Sequence, residues 1–246
     1  MTTEFYLCLG TGFLAQLVDG TLGMAYGVTG SSLLLSFGLP PATTSATVHA
    51  AECFTTGASG LSHHVFRNVN ATLFRKLLLP GIAGAILGAY ILSSLPGQTL
   101  KPFVAAYLVL MGGIIILKGF KEFPPRTVTT HLAPLGFIGA LVDALGGGGW
   151  GPIVASTLVA RGHNVRETVG SVNAVEFFVT VAASVTFILT LGLTNWQMIL
   201  GLALGGLPAA PLGAWACKHL PFKPLMIMVG VLVMALALRT LLSLVQ

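Results

Sequence analysis

The sequence predicts an all-α polytopic membrane protein made of two inverted-topology repeats of about five helical segments each. Three observations lead to this prediction: an apolar composition, an internal duplication and a one-sided distribution of basic residues. The chain is 54% hydrophobic and 8% charged, with a mean hydropathy of +0.90, whereas soluble domains carry about 25% charged residues. The net charge of +5 comes without a dense basic patch, so no nucleic-acid partner is expected and the bilayer is the expected environment.

The duplication is clearest in the acidic residues. Asp19 and Glu52 lie in apolar stretches of the first half, and Asp143 and Glu176 follow them at the same interval of 124 residues. A carboxylate at the centre of a membrane helix costs roughly 2.5 kcal/mol or more, so two matched pairs indicate a duplicated polar site. The pattern predicts a first transmembrane repeat at 1–122, and a second at 132–246 after a cytoplasmic linker at 123–131.

Each half contains five apolar segments punctuated by glycine, proline and polar turns. The predicted helices are 5–19, 24–38, 42–66, 71–94 and 100–120 in the first half, and 134–144, 150–161, 167–190, 195–217 and 223–244 in the second. A full span needs about 20 apolar residues, which the third, fourth and fifth segments of each half provide. The first two segments of each half are shorter and share a glycine-rich break. They are predicted to form a hairpin of short or broken helices that enters and leaves on one side.

The basic residues orient this arrangement. If each hairpin contributes an even number of crossings, ten basic residues lie on one side of the membrane and only Lys101 and Arg239 on the other. The ten are Arg67, Arg75, Lys76, Lys118, Lys121, Arg126, Arg161, Arg166, Lys218 and Lys223. Basic residues accumulate on the cytoplasmic side, so both termini are predicted to be extracytoplasmic. Three net crossings per half also invert the second repeat, a plan that many secondary transporters of the cell inner or plasma membrane share.

The glycine breaks are candidate substrate-binding elements. Glycine allows a close approach of the backbone, and a helix that starts after a break directs free N–H groups towards the centre, which suits an anion. The alternative is that these glycines only permit close helix packing. The candidate binding residues are Gly23, Tyr26 and Gly27 at the first break, and Gly147, Gly148, Gly149, Trp150 and Gly151 at the second.

The four acids and two neighbours complete the candidate site. Glu52 lies about ten residues, or about 15 Å, into its helix, with His49 one turn earlier, and Glu176 has Asn173 in the same position. His49 and Asn173 are therefore further candidate substrate-binding residues. The glutamates are expected either to carry protons for coupling or to make structural hydrogen bonds. Asp19 and Asp143 precede the breaks, where capping of the following helix is the simpler role.

Other features predict less. No residue spacing suggests a metal site, a cofactor or a catalytic residue. The sequence Gly84-x-x-x-Gly88 permits close helix contact and is the reason for expecting a homodimer, the alternative being that these glycines serve packing within one chain. Four aromatic residues are interpreted as anchors at the membrane interface, namely Trp196, Trp215, Tyr90 and Tyr107.

These motifs resemble those of the TauE/SafE family of sulfite and organosulfonate exporters. The resemblance rests on the repeated Gly-Phe-(Leu/Ile)-x-x-Leu-Val-Asp leader at 12–19 and 136–143, on the glycine run at 145–152, and on the turn at 68–70 that enters 79–88. It covers nearly the whole chain, although the first break lacks the family's usual glycine triplet. The resemblance implies export of a small sulfur-containing anion, such as sulfite or sulfoacetate, and the buried acids suggest proton coupling. The alternatives are an uncoupled anion channel and an intramembrane enzyme.

Overall fold

The computed structural model describes residues 2–120, 130–192, 194–217, 219 and 222–243. Residues 123–129 of the predicted linker lie outside this part of the chain, as do Lys121, Arg126 and Lys218 of the charge argument. The described residues form ten helices, and no strand occurs among them. The helices are α1 (Thr3–Leu22), α2 (Tyr26–Ser36), α3 (Pro41–Val65), α4 (Ala71–Ser94), α5 (Gly97–Gly119), α6 (Leu132–Gly146), α7 (Gly151–Ala160), α8 (Val165–Leu191), α9 (Trp196–Ala216) and α10 (Phe222–Leu242).

Local sequence signals set several helix ends. The side chains of Asn70 and Asn164 accept backbone hydrogen bonds in the first turns of α4 and α8, which is the usual way of satisfying free N–H groups at a helix start. Helices α1 and α6 end at Gly23 and Gly147, which both adopt the left-handed conformation that favours glycine at this position.

Helix α1 is longer than expected, whereas α3 has the expected length but a lower hydropathy than the other long helices. Helix α1 has 20 residues because the helix continues through Asp19 to Leu22, so only α2, α6 and α7 are short. Five helices among the described residues are long and apolar enough to cross a membrane, namely α1, α4, α5, α8 and α9. Helix α3 has 25 residues but falls below this hydropathy because it carries a stripe of buried polar side chains. The protein is therefore an all-α polytopic membrane protein whose interior includes buried polar side chains.

The helices of the two halves are interleaved. The most extensive contacts pair α1 with α9, α4 with α6, α5 with α10, and α3 with α8. Exchanging the halves converts α1–α9 into α6–α4 and leaves the other two pairs unchanged. Each half thus packs mainly against the other, and the duplicated acids lie at the contact between them.

Glycines make the close helix contacts inside one chain. A side chain on Gly84 would collide with the carbonyl oxygen of Phe137, and one on Gly88 would lie 2.5 Å from the carbonyl oxygen of Leu141. Both glycines of the Gly84-x-x-x-Gly88 sequence therefore face α6 of the same chain. The homodimer remains a prediction, but this motif no longer supports it.

Candidate functional site

The two aspartates cap the helices that follow the glycine breaks. The Oδ1 atom of Asp19 accepts the backbone N–H of Tyr26 at 3.4 Å, and the Oδ1 atom of Asp143 accepts that of Trp150 at 2.9 Å. Both carboxylates are at most 3% exposed. An acid at a helix start satisfies a free N–H group and faces the positive end of the helix dipole, so each aspartate joins the two helices of its break.

The glycine four residues after each aspartate ends the helix with the same backbone conformation. Gly23 and Gly147 have φ angles of +70° and +69°, and the N–H of each donates to the carbonyl of its aspartate. In the second break the N–H of Gly148 donates to the carbonyl of Asp143 as well, at 3.0 Å. Gly147 and Gly148 were predicted to bind the anion. In this conformation their N–H groups instead donate to the carbonyl oxygen of Asp143.

The two breaks cross in direct backbone contact. A Cβ atom added to Gly27 would lie 2.8 Å from the Cα atom of Gly148, and one added to Gly151 would lie 2.5 Å from the Cα atom of Met24 and collide with the carbonyl oxygen of Gly23. No side chain fits between backbones at these distances. Close packing of the breaks, the alternative considered for these glycines, accounts for them in this structure.

Three hydroxyl groups hold the second break in place. Ser31 donates to the carbonyl of Gly147, Tyr107 donates to that of Gly148 at 2.8 Å, and Ser45 donates to a carbonyl in the last turn of α6 at 2.7 Å. The interpretation of Tyr107 as an interface anchor was wrong, because its hydroxyl points to the break. Sequence reasoning missed Ser31 and Ser45, since isolated serines in apolar helices carry no distinguishing signal.

His49 is the partner of Asp143. Its Nε2 atom lies 3.1 Å from Oδ2 of Asp143, and its Nδ1 atom lies 2.8 Å from the carbonyl oxygen of Ser45. Because a carbonyl only accepts, Nδ1 carries a proton. Nε2 then either accepts a hydrogen bond from a protonated, neutral Asp143 or, in an imidazolium, donates one to an ionised Asp143. In both states one exchangeable proton lies between the two side chains.

The equivalent contact does not exist in the other half. Asn173, which replaces histidine at this position, accepts a hydrogen bond from Ser59 at 2.7 Å and donates to the carbonyl of Val169 at 3.2 Å. It does not reach Asp19, whose Oδ2 atom has no partner among the described residues. The two breaks therefore share their capping aspartates and glycine turns but differ in their side chains.

The glutamates lie on the two helices that meet at the centre. Glu52 is 2% exposed, and its Oε1 atom lies 3.1 Å from the position of a Cβ atom on Gly27, at the start of α2. Glu176 is 5% exposed, and its Oε2 atom has no partner among the described residues. One turn beyond, the hydroxyls of Thr56 and Thr180, which the shift of 124 residues relates, lie 3.4 Å apart.

The charge of the centre limits how it can hold a ligand. Asp19, Glu52, Asp143 and Glu176 are all buried, and no lysine or arginine is buried within the part of the chain that the structure describes. An anion at this centre can therefore be held only by neutral donors, helix N-termini and a protonated His49. Ionised carboxylates would repel it, so anion binding favours their protonation.

Comparison with known proteins identifies the family of this chain. The model of the sulfite exporter TauE/SafE family matches residues 8–240. The chain belongs to the TauE/SafE family. The resemblance inferred from the leader and the glycine run is thereby confirmed, and the TauE/SafE chain is a membrane transporter rather than an enzyme.

Two curated relatives agree with this family. The probable membrane transporter protein YtnM of Bacillus subtilis (strain 168) is 42% identical over 242 residues, covering 94% of this chain and 81% of the relative. The probable membrane transporter protein ORF9 of Sinorhizobium sp. is 28% identical over 239 residues, covering 93% and 89%. No solved structure matches the chain. Neither relative's name includes a substrate.

Proposed function

We propose that the protein is a secondary transporter that exports a small sulfur-containing anion, sulfite or a short organosulfonate such as sulfoacetate, and that protons are coupled to this transport. The observation that carries the proposal is the meeting of four buried carboxylates with two glycine breaks at the contact between the halves. The family description supports a sulfur oxyanion. The relatives support transport without naming its cargo.

Charge repulsion links binding of the anion to protonation of the buried acids. Four buried acids have no buried lysine or arginine to neutralise them among the described residues, so an ionised centre would exclude an anion. Protonation removes the repulsion and turns a carboxylate from an acceptor into a donor. The His49–Asp143 contact and the unpartnered oxygen of Glu176 supply exchangeable positions. Acidification on the loading side should therefore raise the rate of anion movement.

The architecture of the proposal is a pair of inverted repeats with both termini outside the cytoplasm. The interleaved pairs α1–α9 and α6–α4 support the repeats, because exchange of the halves converts one pair into the other. The contact of Thr56 with Thr180 supports an approximate two-fold axis between α3 and α8. The charge distribution of the loops supports the orientation. In this arrangement the acids lie near the midplane, where secondary transporters place their sites.

Flux into liposomes tests the proposal. Purified protein is reconstituted, and uptake of sulfite, sulfate, sulfoacetate and taurine is followed with and without an imposed pH gradient. Accumulation of sulfite or sulfoacetate above the external concentration, dependent on the pH gradient, is the expected result. Equilibration without accumulation would indicate an uncoupled anion channel. No flux of any of the four above that of protein-free liposomes would refute sulfur-anion transport.

A further inference from the structure

Buried polar atoms without partners are concentrated in one half of the protein. Within the described residues, the first half contributes both amide atoms of Gln16, the Oδ2 atom of Asp19 and the hydroxyls of Tyr26, Thr29, Ser32, Thr44 and Thr55, whereas the second half contributes only the Oε2 atom of Glu176. An unpartnered polar group in a protein interior is unfavourable and calls for an explanation. Gln16 is the strongest case, because it is fully buried and neither end of its amide is bonded.

The corresponding positions of the second half are apolar or satisfied. The shift of 124 residues places Ala140 opposite Gln16 and Val179 opposite Thr55. Trp150, opposite Tyr26, donates its indole N–H to a backbone carbonyl at 3.2 Å. Most of the unpartnered polar groups among the described residues therefore lie in the half that contains the first break.

Three of these side chains converge on one point of α9. A Cβ atom added to Gly206 would lie 2.5 Å from Cγ2 of Thr55, 3.2 Å from Cε2 of Tyr26 and 3.3 Å from Cβ of Gln16. Helices α1, α2 and α3 each supply one of these side chains. The hydroxyl of Tyr26 lies near that of Thr55, but neither forms a hydrogen bond of acceptable geometry.

Asp19 borders this cluster. It lies three residues after Gln16, so both side chains project from the same face of α1. Its Oδ2 atom is the second unpartnered oxygen on that face. The cluster thus adjoins one of the acids of the centre and the helix start that Asp19 caps.

We propose that Gln16, Tyr26 and Thr55 form the polar subsite that holds the oxyanion group of the substrate, and that the second glycine break is the structural half of the centre. The proposal rests on the anion transport proposed above and identifies where the anion binds. The amide offers two N–H donors and the two hydroxyls offer one each. Neutral donors match a group with three oxygen atoms, such as sulfite or a sulfonate. Because they carry no positive charge, they do not hold the anion by an ion pair that its release would have to break.

Apolar isosteres test the subsite. The variants Gln16→Leu, Tyr26→Phe and Thr55→Val each remove donors with little change in volume, and Thr240→Val is the control. Thr240 is also buried, but it lies on α10, and its hydroxyl donates to a carbonyl of its own helix at 3.1 Å. Binding of sulfite and sulfoacetate to purified protein is measured by calorimetry, and the melting temperature of each variant is measured without ligand.

Each subsite variant is expected to weaken binding about tenfold or more, which corresponds to one lost hydrogen bond to a charged group. The melting temperature should stay equal or rise, because an unpartnered buried polar group is replaced by an apolar one. A purely structural role would lower the melting temperature instead. The Thr240→Val control should bind as the wild type does.

The outcomes separate the two proposals. Wild-type affinity in all three variants, with saturable binding by the wild type, would overturn the subsite and leave the transport proposal intact. Weakened binding that is matched by a lower melting temperature in every variant would also overturn the subsite. Absence of saturable binding of either anion to the wild type would overturn both proposals together.

Discussion

Substitution of Gly148 by alanine should destabilise the protein more than the same substitution at any other glycine of the two breaks. A Cβ atom at this position would collide with the backbone nitrogen of Val28 and the carbonyl carbon of Gly27, and would lie 2.8 Å from the Cα atom of Val28. These are backbone atoms of the crossing break, so no side chain can move aside. The φ angle of Gly148 is +151°, which L-residues with a side chain rarely adopt.

The magnitude follows from two contributions. A residue held in a disfavoured backbone conformation costs about 1–3 kcal/mol, and overpacking of a well-packed interior costs about 1–3 kcal/mol. Together they give about 2–6 kcal/mol, a large part of the roughly 5–15 kcal/mol that stabilises an ordinary domain. At about 2–4 °C per kcal/mol for a chain of this size, the melting temperature should fall by roughly 4–24 °C.

Two further glycines separate the contributions. Gly38 has a φ angle of +96° with nothing within 4 Å of an added Cβ atom, and Gly113 is helical with equally open space. Gly38→Ala should therefore lose only the conformational part, whereas Gly113→Ala should be neutral or stabilising by up to about 1 kcal/mol. Melting is followed by fluorescence-detected size exclusion in detergent. If Gly148→Ala melts no lower than Gly38→Ala, the crossing of the breaks does not require glycine and the packing argument fails.

Three other predictions follow from the centre and the topology. His49→Asn should remove the partner of Asp143 and lower the free energy of unfolding by about 1–3 kcal/mol. In a double-mutant cycle with Asp143→Asn, the double variant should lose less stability than the sum of the two single variants. Strictly additive losses would show that the two side chains are not energetically coupled. Glu176→Gln mimics the protonated acid, so substrate binding should persist while the pH dependence of flux fades; an unchanged pH profile would exclude Glu176 from coupling. Cysteines placed at Thr3 and Gln246 should react with an impermeant thiol reagent in intact cells, and labelling only after permeabilisation would reverse the predicted orientation.

Helix positions could be predicted because their signals are local. Helix α4 was predicted at 71–94 and extends over Ala71–Ser94, since an asparagine cap precedes a predominantly apolar segment. Helix α1 was predicted to end at Asp19, ahead of the glycine break. The helix instead continues to Leu22, because Asp19 bonds across the break while its own backbone stays helical.

Contacts within the site were harder to predict because their partners are distant in sequence. The contact between His49 and Asp143 spans 94 residues, and only the packing of the two halves brings these side chains together. Their positions in the duplicated pattern indicated that both lie near the centre, but gave no pairing. The glycine run at 145–152 was the stronger sequence signal for an anion, yet in the structure its N–H groups at Gly147 and Gly148 are engaged with Asp143.

The alignment of the halves contained a further signal in its mismatches. Matched positions such as Asp19 and Asp143 reveal what both halves need, which is a capped helix start beside a glycine turn. Mismatched positions such as Gln16 and Ala140 reveal where the halves differ in chemistry. A buried polar residue whose counterpart is apolar, as Gln16 is to Ala140, is not required for the aspartate cap and the glycine turn, because the second break has both without it. Such residues are therefore the better candidates for contact with an asymmetric ligand, and the glycines that both halves share are the better candidates for the fold.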